Sequence, residues 1–275
     1  MFQLAEANHK VIRVRNAAIA AIGVLATATI PAGANFQPRV IGGDVASPAM
    51  WPAAVALVNE SGQFCGGTLI GRRQVLTAKH CVYGPLDPTL EAVVGRPDLS
   101  DAADGREIRV TARHRHPNAD LAVLDLATGS PETPFPIATR RQDRAATEPG
   151  DLLRVAGWGS TRPRGGLPSD VLREAKQFAK RGRRCRLAYS FYENRTMICA
   201  LGRKLSRDQY ASACYGDSGG PLVADTLAGR VLVGAVSGGG FRCGNPRQPP
   251  YYTRVAAFRS WILDHLRPEA SRRGR

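Results

Sequence analysis

One short stretch combines a hydroxyl side chain with glycines and an acid that could make it reactive. Residues 214–221 read Cys-Tyr-Gly-Asp-Ser-Gly-Gly-Pro, which places Ser218 directly after Asp217. Glycine permits sharp turns and close backbone approaches. It also bares the N–H groups of Gly216 and Ser218, two donors that could hold a developing oxyanion. The same residues also fit an ordinary turn, so chemistry at Ser218 needs partners from elsewhere in the chain.

Two other motifs supply those partners. A serine hydroxyl is a weak nucleophile that needs an adjacent base, which in turn needs an orienting group. His80 ends the apolar run Val-Leu-Thr-Ala-Lys-His, and Asp120 opens the run Asp-Leu-Ala-Val-Leu. A histidine base oriented by an aspartate and activating a serine is the equipment for acyl transfer.

The order His80, Asp120, Ser218 resembles that of the chymotrypsin-like (trypsin-fold) serine proteases, and the resemblance runs from Val40 to about Leu266. It implies an all-β fold of two six-stranded antiparallel β-barrels, with the active site between them and a C-terminal helix on the second barrel. It also implies catalysis by His80, Asp120 and Ser218, an oxyanion hole at Gly216 and Ser218, and no metal or organic cofactor. Protein or peptide substrates, proteinaceous inhibitors and a monomer are the expected partners and state.

The resemblance also assigns a specificity pocket. Its residues are Ser212, Ser237, Gly239 and Pro250, and Ser237 lies near the buried aspartate. Ser212 occupies the pocket floor, where a neutral residue offers no charge partner to a substrate Arg or Lys. We therefore expect a chymotrypsin- or elastase-like preference, the latter if the ring of Pro250 makes the pocket shallower.

Four residues depart from the family pattern. Pro250 replaces a wall glycine, Gly238 replaces a tryptophan that packs against substrate, and Arg242 lies near the pocket rim. Lys79 replaces the alanine before the catalytic histidine. The cation of Lys79 would either disfavour the His80 imidazolium or point to solvent.

An activation site follows from the same resemblance. Cleavage after Arg39 would free the amine of Val40, which would fold inward and pair with Asp217, because a buried carboxylate without a partner is costly. The alternative is that Val-Ile-Gly-Gly, residues 40–43, only begins a strand. On the first interpretation the precursor is inactive.

Residues 1–39 are typical of targeting and processing sequence. Lys10, Arg13 and Arg15 precede an apolar run from Ala17 to Ile30, and Ala-Gly-Ala at 32–34 offers a cleavage site. We expect a signal peptide over 1–34, a propeptide over 35–39 and a secreted, extracellular protein without stable membrane insertion. An uncleaved anchor is the alternative, although the run is shorter than the roughly 20 residues that a spanning helix needs.

All six cysteines follow this leader, and an even number in an exported chain implies disulfides. Six cysteines allow 15 pairings, among which the sequence alone does not choose. The family resemblance suggests the pairs Cys65–Cys81, Cys185–Cys199 and Cys214–Cys243.

The composition is that of a basic globular protein. The chain of 275 residues has a net charge of +15, and no motif accompanies it that would specify nucleic acid. The densest basic segment, 180–186, is either a solvated loop or a site for an acidic partner. A non-catalytic homologue that binds through this surface is the alternative to the protease.

Short β-rich runs between turn residues predict strands, not helices, from Trp51 onward. The clearest are Ala53–Val58, Thr68–Ile70, Arg73–Thr77, Leu90–Val94, Ile108–Ala112, Leu121–Leu126, Asp151–Gly157 and Val171–Phe178. Thr128 to Gly150 is expected to link a first barrel (about 40–150) to a second (about 151–275). Helical spacing appears from Val255 to Leu266.

Overall fold

The computed structural model describes residues 40–227 and 229–266. The expected signal peptide, the propeptide with Arg39, and the basic tail lie outside the described residues. Strands predominate because most segments are short runs of Val, Leu, Ile and Ala that end at Gly, Pro, Asn or Asp. In chain order the strands are β1 (Asp44–Val45), β2 (Ala54–Asn59), β3 (Gly62–Gly71), β4 (Gln74–Thr77), β5 (Glu91–Val94), β6 (Arg106–Arg115), β7 (Ala122–Leu126), β8 (Leu152–Gly157), β9 (Arg173–Ala179), β10 (Met197–Gly202), β11 (Lys204–Ser206), β12 (Gln209–Tyr210), β13 (Pro221–Thr226), β14 (Gly229–Gly238) and β15 (Tyr251–Arg254).

Two antiparallel barrels form from these strands. The first closes in the order β2-β3-β4-β7-β6-β5. The second follows the order β9-β10-β15-β14-β13-β8 and closes through pairing of β8 with β9. Strand β1 adds to the second barrel along β9, and β11 with β12 forms a separate hairpin. The expected fold of two six-stranded barrels is confirmed.

The eight strands predicted from the sequence coincide with or overlap β2 to β9. Their inward side chains contribute to the barrel cores, in which Leu57, Leu69, Leu76, Leu124 and Leu153 are fully buried. The last strand of the first barrel ends at Leu126 and the first long strand of the second begins at Leu152. The segment between them is the one expected to connect the barrels.

Helices occur where the sequence indicated none. Helix α1 (Arg140–Ala146) lies within the connecting segment, and α2 (Gly182–Ala188) overlaps the basic segment 180–186, for which a loop is one of the two expectations. Thr139 and Gln142 form a capping box at the start of α1, with each side chain accepting the other's backbone N–H. Each helix has seven residues, about two turns, which is too short for apolar periodicity to reveal.

The C-terminal helix α3 (Arg259–Leu266) confirms the predicted element but corrects its packing. The resemblance implied contact with the second barrel. The ring of Trp261 instead lies edge-on to His116 at 5.0 Å between centroids, and His265 contacts His114 of β6 at 4.8 Å. Both partners belong to the first barrel, so α3 packs on that barrel. Aromatic side chains bury large areas, and these ring contacts therefore favour this position of the helix.

Two of the three disulfides hold segments that carry candidate site residues. The structure joins Cys65 to Cys81, Cys185 to Cys199, and Cys214 to Cys243. These are the three pairs that the family resemblance suggests. The first attaches the segment before β5 to β3, and the last attaches the Ser218 loop to the loop that follows β14.

Candidate active site

The Ser218 loop is held by both barrels. The carbonyl oxygen of Ser218 accepts from Gly66 N of β3 at 2.7 Å, and Gly219 N donates to Val236 O of β14 at 2.7 Å. The side-chain amide of Gln63 donates to Gly216 O at 2.9 Å. The loop that exposes Ser218 therefore spans the boundary between the barrels.

Two glycines in this loop cannot be replaced without strain. Gly216 has a φ of +93° and Gly219 a φ of +80°, a region that side chains with a Cβ rarely enter. A Cβ on Gly219 would also lie 2.1 Å from Thr77 Oγ1 and 2.5 Å from Gly66 O. This close approach explains the glycines that the sequence places around the serine.

His80 follows the end of one first-barrel strand, and Asp120 precedes the start of its antiparallel neighbour. His80 sits in a short 3-10 turn, Lys79–Val82, just after β4, and Asp120 lies just before β7. Asp120 Oδ2 lies 2.9 Å from His80 Nδ1, and Asp120 Oδ1 accepts from the backbone N of His80 at 3.0 Å. These two bonds fix the imidazole by both its ring and its main chain.

The second barrel completes the surroundings of Asp120. Ser237 Oγ donates to Asp120 Oδ2 at 2.6 Å, and Thr253 Oγ1 donates to the backbone oxygen of Asp120 at 2.9 Å. Burial acts to raise the pKa of Asp120, but the hydrogen bonds and charge of His80, with the bond from Ser237, outweigh it. The pKa of this carboxyl therefore lies below its usual value, and the group is ionised at neutral pH.

Ser218 lies beside this pair. Cys81 Sγ is 3.5 Å from the Ser218 carbonyl oxygen, so the turn that carries His80 touches the Ser218 loop. Within residues 40–227 and 229–266, no hydrogen bond joins the Ser218 hydroxyl to His80. Such bonds are often long before a substrate binds and tighten in the complex.

Asp217 is a buried carboxylate under the same loop. It is fully buried, and its two oxygens accept from Gly159 N and Cys214 N, both at 2.8 Å. Burial raises its pKa to about 6, against the effect of these two bonds. A Cβ on Gly159 would lie 2.5 Å from Asp217 Cγ, so a glycine there leaves room for the carboxylate.

Residues 40 and 41 pack against the second barrel. Val40 is fully buried in the core that contains Leu153 and Val155, and Ile41 O accepts from Ser212 N at 3.0 Å. Val40 has a φ of +39°, which is unfavourable for a β-branched residue. The backbone at Val40 is therefore strained. Ser212, the partner of Ile41, lies five residues before Asp217 in the sequence.

A cavity of about 200 Å³ opens beside Ser218. Ser212 is a buried residue of its lining, and its hydroxyl donates to Ala213 O at 2.7 Å. Pro250 lines one wall, with its Cα 3.5 Å from a Cβ built on Gly239. Ligand pockets are commonly about 300–1,000 Å³, so this cavity fits one side chain. Arg242 is exposed and does not line it.

Tyr251 was not anticipated from the sequence. A Cβ on Gly238 would lie 2.5 Å from the Tyr251 hydroxyl, so the tyrosine ring occupies space that a larger residue at 238 would need. Its ring packs edge-on to Tyr189 and Phe191, with centroids 4.9 and 5.4 Å away. The missing tryptophan at 238 was the signal that another side chain fills this place.

Lys79 is half-buried, and its side chain is bonded to the turn that precedes Asp120. Its Nζ donates to the carbonyl oxygens of His116 at 3.1 Å and Pro117 at 3.0 Å. The Nδ1 atom of His116 accepts from the N–H groups of Asn118 and Ala119. Burial, and then the charge of Lys79, lower the pKa of His116. The bonds of Lys79 and of His116 together hold the short turn that leads into Asp120.

One cluster contains residue types that often bind metal ions, but its sulfur atoms cannot act as ligands. Cys65, His80 and Cys81 offer donor atoms within 4.8 Å of one another. Both sulfurs belong to the Cys65–Cys81 disulfide, however, so neither is a thiolate that could bind an ion.

Comparison with known proteins agrees with this geometry. The sequence model of the trypsin family matches residues 40–262. A trypsin of Saccharopolyspora erythraea is 33% identical over 235 residues, which cover 82% of this chain and 98% of that protein. Trypsin 5G1 of Aedes aegypti is 34% identical over 238 residues, which cover 82% of this chain and 84% of the mosquito protein.

A third relative is much longer than the chain. Transmembrane protease serine 9 of Rattus norvegicus is 32% identical over 240 residues, which cover 83% of this chain but only 22% of the rat protein. The family match extends over both barrels and over every residue of the candidate site. The chain belongs to the trypsin family of serine proteases.

Proposed function

We propose that the chain is a secreted serine endopeptidase that cleaves peptide bonds through an acyl-enzyme. The observation that supports it best is the pair of bonds from His80 to Asp120, set beside Ser218 at the mouth of a pocket for one side chain. An oriented imidazole next to a serine hydroxyl is suited to remove its proton.

The proposed reaction uses three side chains. His80 Nε2 takes the proton of Ser218 Oγ as the oxygen attacks the substrate carbonyl carbon, and Asp120 stabilises the resulting imidazolium. His80 then protonates the leaving amine as the C–N bond breaks, which leaves an acyl group on Ser218. A water deprotonated by His80 attacks this ester, and the carboxylic acid product leaves with Ser218 reprotonated.

The negative oxygen of the tetrahedral intermediate is assigned to two backbone donors. Among the described residues, none accepts a hydrogen bond from Gly216 N or Ser218 N. The positive φ of Gly216 shapes the turn that carries them. Donors preorganised in this way contribute roughly 10²–10³-fold to the rate in enzymes of this kind.

The pocket supports a preference for apolar side chains. Ser212 at the floor is neutral and its hydroxyl is already bonded, so a substrate guanidinium or ammonium would be buried there without a partner charge. Pro250 lies close to Gly239 and narrows the pocket there. We expect cleavage after apolar residues, in the chymotrypsin- or elastase-like manner, and not after Arg or Lys.

Activation by cleavage after Arg39 is part of the proposal. A new ammonium at Val40 would give the buried Asp217 a charge partner and stabilise the working shape of the Ser218 loop. Cleavage would also remove the peptide bond that defines the unfavourable φ of Val40, which relieves its strain. Both effects favour the active conformation only after cleavage.

Export is proposed from the leader and the disulfides. Three disulfides form and persist in oxidising compartments outside the cytosol. Among the described residues, no helix has the length and hydropathy that a membrane crossing requires.

A panel of peptides tests the proposal. The chain cleaved at the Arg39–Val40 bond should hydrolyse peptides after Phe, Leu or Ala in preference to Arg or Lys. The Ser218→Ala variant should lose about 10⁴–10⁶-fold in kcat/KM. Preference for Arg or Lys would contradict the pocket assignment. Absence of hydrolysis by the folded, cleaved chain would favour the non-catalytic homologue.

A further inference from the structure

The second barrel carries a basic cleft that shares no lining residue with the Ser218 pocket. This cleft is a cavity of about 840 Å³, lined by α1, by the residues before α2 and by the turn before β10. Its basic residues are Arg140, Arg144, Lys180, Arg181, Arg195 and Arg254.

Acidic neighbours do not neutralise the basic cleft. Six basic and two acidic side chains line it, which leaves a surplus of four positive charges. Arg254 is bonded to Asp143 at 2.6 Å, so one acid is already paired. None of the other five basic residues forms an ion pair with an acid in the described part of the chain. Like charges gathered in a concave surface raise the local positive potential and attract anions.

The cleft continues into a neighbouring cavity of about 440 Å³. The two share Pro149, Lys180 and Arg181, and the second adds Arg183 and Arg184 along α2. The Cys185–Cys199 disulfide fixes α2 to β10. A preorganised track of positive charge suits an extended ligand with repeated anionic groups, because little order is lost on binding.

Lys180 lies where the two cavities meet. It is half-buried, its backbone N is bonded to Cys199 O, and its ammonium lies 5.7 Å from the centre of the Phe178 ring. Burial, and then the charge of Arg184, lower the pKa of Lys180. A cation in these surroundings gains more from an arriving anion than a fully solvated lysine does.

The lining also indicates the class of ligand. Among the described residues that line the two cavities, none is aromatic. Single-stranded nucleic acids depend on aromatic stacking. Peptide partners depend on large apolar or aromatic anchors, and among the described lining residues Leu187 is the one exposed large apolar side chain. Arginine forks match the oxygens of carboxylate and phosphate groups. A sulfate ester presents the same tetrahedral arrangement of oxygens as a phosphate. We propose that the basic cleft binds an anionic polysaccharide that carries sulfate groups.

Binding of heparin, a sulfated polysaccharide, tests this assignment. The protein is studied in the Ser218→Ala background, so the result does not depend on the proposed peptidase activity. The double variant Arg144→Gln with Arg181→Gln removes one exposed charge from α1 and one from the residue before α2, both in the lining of the cleft. The matched control, Arg106→Gln with Arg109→Gln, removes two exposed charges from β6 of the first barrel.

We expect the cleft variant to lose about tenfold or more in heparin affinity, and its salt dependence of log K to fall by about two. The control should lose less than about threefold. Thermal unfolding of each variant establishes that it is folded. Equal losses in the two variants, no binding in the parent protein, or tighter binding of single-stranded DNA or polyglutamate than of heparin would overturn the proposal.

Discussion

At the scale of single residues, two aspartates of the candidate site have opposite surroundings. Asp120 accepts bonds from His80 and Ser237, which hold its pKa below the usual value. Asp217 is buried with two backbone donors, and its pKa rises to about 6. The first is suited to stabilise a cation on His80, whereas the second forms no ion pair within residues 40–227 and 229–266.

The pH dependence of stability tests the role of Asp217. In the uncleaved chain, folding raises the pKa of Asp217 from 3.8 to about 6, so the folded state binds more protons between these values. The free energy of unfolding should therefore fall as pH rises from about 4 to 6, by up to about 3 kcal/mol. Asp217→Asn should lack this fall when unfolding by urea is measured across that range.

Two comparisons complete the test. The exposed Asp208→Asn variant should keep the pH dependence of the parent. In the cleaved chain, an ammonium at Val40 lowers the pKa of Asp217, so the fall should disappear there as well. Identical pH profiles for the parent and for Asp217→Asn would contradict the burial of an unpaired carboxylate.

At the scale of elements, the strands deliver the site residues and the short helices shape the surface around them. Strand β4 ends three residues before His80, and β7 begins two residues after Asp120. Ser237 is the next-to-last residue of β14. Helix α1 lies in the segment between the barrels and lines the basic cleft. Its stability depends on its cap because seven residues make few internal hydrogen bonds.

Removal of that cap should have a measurable cost. Thr139→Ala deletes the hydroxyl that accepts from Gln142 N, so we expect the free energy of unfolding to decrease by about 1 kcal/mol. The control, Thr133→Ala, changes an exposed threonine outside any helix or strand and should shift it by less than about 0.5 kcal/mol. Equal effects in urea unfolding would show that the capping box contributes nothing.

The sequence predicted those features that are local in the chain. Strand positions follow from apolar runs and turn residues, and the order of His80, Asp120 and Ser218 is visible without a structure. Contacts between distant residues were not predictable: Gln63 with Gly216, Thr253 with Asp120, and Tyr251 beside Gly238. Helix α3 was predicted from the helical spacing of its apolar residues. The barrel on which it packs depends on the contacts of Trp261 and His265 with His116 and His114, which the sequence does not show.

At the scale of the whole molecule, the two barrels contribute different parts of one site. The first supplies His80 and Asp120, and the second supplies Ser218, Ser237 and the pocket. Bonds across the boundary, such as Gly66 N to Ser218 O, hold these parts in register. The basic cleft lies entirely on the second barrel and its connecting segment, so it can bind a partner without obstructing the pocket.

The most direct test of the proposed function is the intact mass of the protein after exposure to a fluorophosphonate, before and after cleavage of the Arg39–Val40 bond. Such reagents modify a serine only when a base activates it and an oxyanion site receives the phosphoryl oxygen. We predict a single adduct on Ser218 in the cleaved chain, and none in the uncleaved chain or in Ser218→Ala. No adduct on cleaved protein with intact disulfides would contradict the proposed nucleophile. Equal labelling without cleavage would contradict activation at the Arg39–Val40 bond.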